Sequence, residues 1–142
     1  MIATLIGISS SLITILIFTF LKQFHKNTVY ALILAGIAFL YVGYTWTNLE
    51  VASASFLQIL FFLLLAYYGL KKHPNYLVFG YIIHAVWDGL YPIIGSPDLL
   101  PPDYDYFCVT YDVFVAIYLF VFNYESNKSY NNPSINPIQK IK

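Results

Sequence analysis

The run IATLIGISSSLITILIFTFL, residues 2–21, carries no charged side chain until Lys22 closes it. An α-helix rises about 1.5 Å per residue, so roughly 20 apolar residues cover the hydrocarbon core of a bilayer. The segment is long enough to span. A secretory signal peptide would open on basic residues and end at a small-residue cleavage site. Met1 instead leads straight into the apolar run and no cation precedes Lys22, so the segment is read as a mature helix.

Four further apolar blocks follow, at residues 28–47, 50–70, 76–95 and 104–122. Of the 142 residues, 59% are hydrophobic and only 10% charged, against roughly 25% charged in a soluble domain. A surface facing water cannot be covered with so little charge. The predicted fold is an all-α polytopic membrane bundle of about five transmembrane helices. It forms one domain over 1–122, with a polar, disordered tail over 123–142. The polar turn Trp46-Thr47-Asn48 is short, so the second and third helices are expected to be antiparallel neighbours. Cys108 is the single cysteine, which excludes an intramolecular disulfide and a multi-cysteine zinc site. With zero net charge and no Arg, the chain lacks the basic face that a nucleic-acid partner requires.

Five spans place alternate loops on opposite sides, and the lysines should choose one of them. Lys22 and Lys26 fall between the first and second spans, Lys71 and Lys72 between the third and fourth, and Lys128, Lys140 and Lys142 after the fifth. All share a side. Glu50, Asp98, Asp103 and Asp105 fall on the other. The expected orientation puts the N-terminus outside and the C-terminus in the cytoplasm, in a multi-pass protein of the cell (inner) membrane. Tyr44, Trp46, Tyr91, Tyr104 and Tyr106 near the outer ends, with Tyr67, Tyr68, Tyr76 and Tyr124 near the inner ones, fit interfacial aromatic belts.

Ionisable groups within the spans are few and costly at membrane depth. His84 and Asp88, at i and i+4, share one face of the fourth helix, with Tyr81 and Tyr91 close to the same stripe. Asp105, Cys108 and Asp112 share a face of the fifth. Counted inward, Asp88 and Asp112 both lie roughly 10–12 Å deep, and Gln58 of the third span comes to a similar level. These groups are expected to form a polar pocket in the outer half of the membrane, opening toward Glu50 and Asp105. Tyr41, Tyr44 and Thr45 would line it from the second helix. His84, Asp88 and Asp112 are the candidate catalytic residues. Glu50, Gln58, Tyr81, Trp87, Tyr91, Cys108 and Asp105 are the candidate substrate-binding residues. The plain structural readings are a buried ion pair that fixes packing for His84 and Asp88, wall packing for Trp87, and a small buried hydrophobe for Cys108. Gly36 and Gly43 are read as points of close helix contact. Ser9, Ser10 and Ser11 either do the same or bond back to their own helix.

The runs Gly80-Tyr81-Ile82-Ile83-His84-Ala85-Val86-Trp87-Asp88 and Ala66-Tyr67-Tyr68-Gly69-Leu70, the acidic Glu50, and Phe107-Cys108 with Asp112 carry a resemblance. Together they resemble an uncharacterised family of small bacterial integral-membrane proteins of unknown function. The pattern is a Trp-Glu helix start, a His-x-x-Trp-Asp helix, a Pro-rich loop and a Cys-x-x-x-Asp helix. This chain departs from it with Leu49 before Glu50, and with Tyr91-Pro92 where a pair of histidines is expected, which removes those histidines from any metal site. The resemblance covers the second to fifth spans and implies membrane class and site position, without a reaction. A His-x-x-x-acid helix in a small bundle is also loosely similar to emopamil-binding-type sterol isomerases, in architecture alone.

Three functional readings follow from the residues. In the first, the chain is an enzyme acting on a lipid or isoprenoid-like substrate, a small apolar or amphipathic ligand. His84 shuttles a proton, Asp88 orients it and Asp112 is the opposing acid or base. Membrane lipids are its expected partners. No cofactor is named by the sequence and no residue is assigned as a metal ligand. His84 with Asp88, Asp112 and Glu50 would suit iron, manganese or magnesium better than structural zinc, but the set is thin. In the second reading the same groups relay protons or hold a cation for transport, with a homo-oligomer supplying a path between protomers. The break expected at Tyr91-Pro92 is the one discontinuous helix in view. A non-catalytic membrane subunit is a third, plainer reading.

Overall fold

The computed structural model describes residues 1–21, 23–94 and 97–131. Five α-helices form in chain order, α1 (Ile2–Phe20), α2 (Lys26–Thr45), α3 (Leu49–Lys71), α4 (Asn75–Ile94) and α5 (Tyr104–Asn131), with a short 3-10 turn at Pro97–Leu99. No strand occurs among the described residues. Among the same residues, α1, α2, α3 and α5 are long and apolar enough to cross a membrane.

Each inner helix presents one stripe at helical spacing to its neighbours. Tyr30, Leu34, Ala38, Tyr41 and Thr45 form it on α2, and Ser55, Gln58, Ile59, Phe62 and Ala66 on α3. Leu77, Tyr81, His84, Asp88 and Tyr91 supply α4, and Cys108, Tyr111, Asp112, Val115 and Leu119 supply α5. The stripes change character along their length. Toward the α3–α4 turn the core is apolar, closed by Leu34, Phe62, Leu77, Val115 and Leu119. Toward the α2–α3 turn and the α4–α5 loop it holds Tyr41, Thr45, Ser55, Gln58, His84, Asp88 and Asp112. The polar layer therefore occupies one half of the bundle core.

α4 packs most extensively on α5, α2 on α3, and α1 on α5. α1 is peripheral, with only Gly7 and Ser11 buried. It docks where Gly7 meets α5: a Cβ there would stand 2.1 Å from Thr110 Oγ1 and 2.6 Å from the Phe107 carbonyl oxygen. Gly36 and Gly43, expected at a close helix contact, have nothing within 4 Å of such a Cβ and are exposed. Close approach is made instead by Gly7, by Gly69 against Leu77 and by Gly80 against Leu34. Spacing of glycines does not reveal which face is turned inward, and the α2 glycines lie off the core stripe. Of the three serines, Ser9 bonds back to the Leu5 carbonyl at 2.8 Å and Ser11 to that of Ile8 at 2.7 Å.

The α2–α3 turn is as short as expected. Asn48 caps α3, its Oδ1 accepting from the amides of Glu50 (3.2 Å) and Val51 (3.3 Å). Two other expectations change. Pro92 lies inside α4, which runs on to Ile94, so there is no break at Tyr91-Pro92. Pro92 removes one helical bond, the amide donation to the Asp88 carbonyl, and only two residues of α4 follow it, so little of the helix is disturbed. α5 also continues past Phe122, the expected end of the bundle, to Asn131. Asn123 is buried there and its Nδ2 donates to Asn75 Oδ1 at 3.2 Å, tying the added turns to the start of α4. The rest of the expected tail, residues 132–142, lies outside the described residues.

Candidate functional site

The i, i+4 spacing on α4 places His84 and Asp88 one turn apart on the inward stripe, and α5 brings Asp112 to the same level. His84 Nδ1 stands 3.0 Å from Asp88 Oδ2 and 2.9 Å from Asp112 Oδ2. One ring nitrogen thus faces two carboxylates from different helices. All three residues are 0% exposed. From α2, the Tyr41 hydroxyl donates to Asp88 Oδ1. Asp88 is held at both oxygens, whereas Asp112 Oδ1 and His84 Nε2 have no hydrogen-bond partner among the described residues.

The two acids are therefore not equivalent. A buried carboxylate satisfied at both ends is fixed, and one with a bare oxygen keeps acceptor capacity for another group. Aromatic rings hold the imidazole. The Phe62 ring lies 4.7 Å from it and the Tyr41 ring 6.0 Å, between centroids. Tyr41 also packs against Tyr91 at 5.0 Å and Tyr104 at 6.3 Å. Burying two carboxylates against one imidazole is costly unless charge and hydrogen bonds are both compensated. The chain has no Arg, and no lysine pairs with an acid among the described residues.

The other candidate residues are distributed around this centre. Gln58 is 7% exposed and neither atom of its amide has a partner among the described residues. It sits one turn from Ser55, which accepts from Thr45 Oγ1 at 3.1 Å, and one turn from Phe62. Trp87 is half-buried beside Tyr91, its ring centroid 6.4 Å away. Cys108 is a buried free thiol one turn from Asp112. Tyr81 is buried, but its hydroxyl donates to the Tyr30 carbonyl at 2.8 Å and so ties α4 to α2. Glu50 is exposed in the first turn of α3, where a carboxylate complements the helix dipole.

The expected opening toward Glu50 and Asp105 is not formed, because the cluster is sealed at zero exposure. Tyr41, whose hydroxyl meets Asp88, packs its ring against Tyr91 and Tyr104. Asp105 instead lines a separate cavity of about 500 Å³ with Tyr91, Pro92, Asp98, Leu100, Pro101, Pro102 and Asp103. A second, apolar groove of about 490 Å³ runs along the α4–α5 seam, lined by residues that include Ala85, Val86, Val109 and Val113. Ala85 follows His84 in the chain and Val113 follows Asp112, so the groove flanks the cluster.

Phe62 escaped the sequence reading, although it lies at i+4 from Gln58 and so on the same helix face. Tyr41 was expected to line the site, but its direct bond to Asp88 depends on how α2 is turned against α4.

Fold and cluster define a class: a small all-helical protein with membrane-spanning-type helices and a buried His-Asp-Asp centre. Within that class the chain belongs to DUF6010, a family of unknown function, whose model matches residues 2–125. No curated protein and no solved structure matches it.

Proposed function

We propose that this is a multi-pass protein of the cell (inner) membrane that uses its His84, Asp88 and Asp112 centre for proton transfer on a lipid or isoprenoid-like substrate. The N-terminus is outside, the C-terminus is cytoplasmic and the centre lies in the outer half of the bilayer. One observation carries the reading: carboxylates from two helices converge on a single imidazole nitrogen at zero exposure. A central Asp costs about 2.5–3.5 kcal/mol on insertion scales, so a pair of them calls for a use.

The roles follow from the hydrogen bonds. Asp88, held by Tyr41 and His84, orients the ring. Asp112, with a bare oxygen, gives or takes the proton, and His84 relays it. The α4–α5 groove is suited to an apolar chain. A double-bond shift fits best: one proton is added at an alkene carbon and one removed from an allylic carbon, with no net co-reactant. That balance suits a centre closed to water, where hydrolysis would need water admitted.

The test is deuterium transfer. The protein in nanodiscs with unsaturated and polyprenyl lipids in D2O should place solvent deuterium on lipid carbon, read by mass spectrometry. Asp112→Asn and His84→Gln should abolish it. No incorporation by the wild type, or full incorporation by folded Asp112→Asn, overturns the proposal.

A cation-relay reading has its own observation. The acidic cavity of Asp98, Asp103 and Asp105 meets Tyr91, which packs on Tyr41 and so leads toward Asp88. In liposomes, pH-dependent flux lost in Asp88→Asn and Asp112→Asn would favour transport over catalysis.

A further inference from the structure

We infer that the His84, Asp88 and Asp112 side chains form a site for one divalent first-row cation of the manganese or ferrous-iron type. The inference rests on the reading above, since it assigns a ligand to the same centre; the cation takes His84 Nδ1, and the proton passes through Nε2 and Asp112 Oδ1, which have no partner among the described residues. Four observations carry it.

The first is spacing. The ligand atoms of the three residues lie within 4.8 Å of one another. His84 Nδ1 is 3.0 Å from one carboxylate oxygen and 2.9 Å from the other. Ligands about 2.1 Å from a cation, at right angles, stand about 3.0 Å apart. Both separations therefore match the distance between adjacent ligands of an octahedral cation.

The second is charge. Two carboxylates and one imidazole are enclosed at zero exposure with no lysine paired to them. A divalent cation with a neutral imidazole brings the sum to zero, the condition under which such a group is tolerated at membrane depth.

The third is the set of unused polar atoms. Asp112 Oδ1 has no hydrogen-bond partner among the described residues, and neither atom of the Gln58 amide has one. Such atoms are rare in a packed core and need a reason. A cation at Asp112 Oδ2 would give the neighbouring Oδ1 a counter-charge in place of a donor and leave it open to the proton.

The fourth is support around the ligands. The Tyr41 hydroxyl donates to Asp88 Oδ1 and leaves Oδ2 for the cation, the outer contact that orients a metal-binding carboxylate. Phe62 and Tyr41 pack against the imidazole.

Donor chemistry selects the class. One imidazole nitrogen suits iron, and carboxylate oxygens suit manganese and magnesium, so the mixture favours Mn²⁺ or Fe²⁺. Cys108 is outside the group, so no thiolate draws the site toward copper or structural zinc.

Mn²⁺ is the practical probe, because it is stable in air and its free form is read by electron paramagnetic resonance. Full-length protein in detergent, stripped with chelator and titrated with MnCl₂, should bind one Mn²⁺ per chain saturably, with a higher melting midpoint. Asp112→Asn and His84→Gln, checked for helicity and monodispersity, should lose that binding. Tyr41→Phe should keep the stoichiometry and weaken affinity about 10–100-fold. Absence of saturable binding in the wild type, equal binding in folded Asp112→Asn, or unchanged affinity in Tyr41→Phe overturns the inference; the last decides if the other two variants fail to fold. Deuterium transfer by protein that binds no Mn²⁺ would remove the cation and keep the proton-transfer reading. Stoichiometric Mn²⁺ binding without deuterium transfer would do the reverse.

Discussion

The Tyr41 hydroxyl of α2 donates to Oδ1 of Asp88 on α4, so the second helix reaches across the core to fix an acid that also faces His84. Chain separation hides this contact. Four side chains link three helices in this way, because His84 in turn meets Asp112 of α5.

Tyr41→Phe removes the hydroxyl and keeps the ring, leaving Asp88 Oδ1 buried without its donor. Hydrogen bonds to charged groups contribute about 1.5–3 kcal/mol. The expected loss of stability is of that order, measured by SDS-titrated unfolding in mixed micelles. A wild-type transition midpoint in the variant would show that the contact contributes nothing.

Asp88→Asn and Asp112→Asn act on one nitrogen, so their effects on stability should not add. Groups in one hydrogen-bond network show coupling of about 0.5–3 kcal/mol. A double-mutant cycle measured in the same micelles checks this, and strict additivity would contradict the shared geometry at His84.

Gly7→Val should loosen α1. A Cβ at that position meets the Phe107 carbonyl oxygen at 2.6 Å, and backbone cannot rotate away. Overpacking of this kind costs about 1–3 kcal/mol, seen as a lower melting midpoint and faster proteolysis between α1 and α2. Gly36→Ala and Gly43→Ala, with open space around them, should change stability by less than about 1 kcal/mol, in the favourable direction if at all.

Cys108 is 4% exposed and packed one turn from Asp112. A membrane-permeant maleimide should label it slowly in folded protein and completely after denaturation, followed by intact-mass spectrometry. Rapid labelling of folded protein would mean that the centre opens to solvent, which would revise the sealed site described above.

Helix existence was legible from block length and charge, as was the length and apolarity that let α1, α2, α3 and α5 cross a membrane, because apolar runs of 20 residues admit few other structures. The i, i+4 pairing of His84 with Asp88 was legible for the same local reason, since helix geometry alone puts them on one face. Rotation of one helix against another was not. It decides that Gly7, not Gly36, makes a close contact, that Tyr81 turns its hydroxyl to Tyr30, and that Tyr41 and Phe62 enclose His84. Likewise Glu50 falls to the exposed start of α3 while Asp112 meets the imidazole. The sequence by itself determined the five helices and the residues too polar to lie idle among them. Only the tertiary structure decided which of those residues meet, because contacts between helices depend on how side chains pack across the interface, and hydropathy along one helix does not encode its angle to the next.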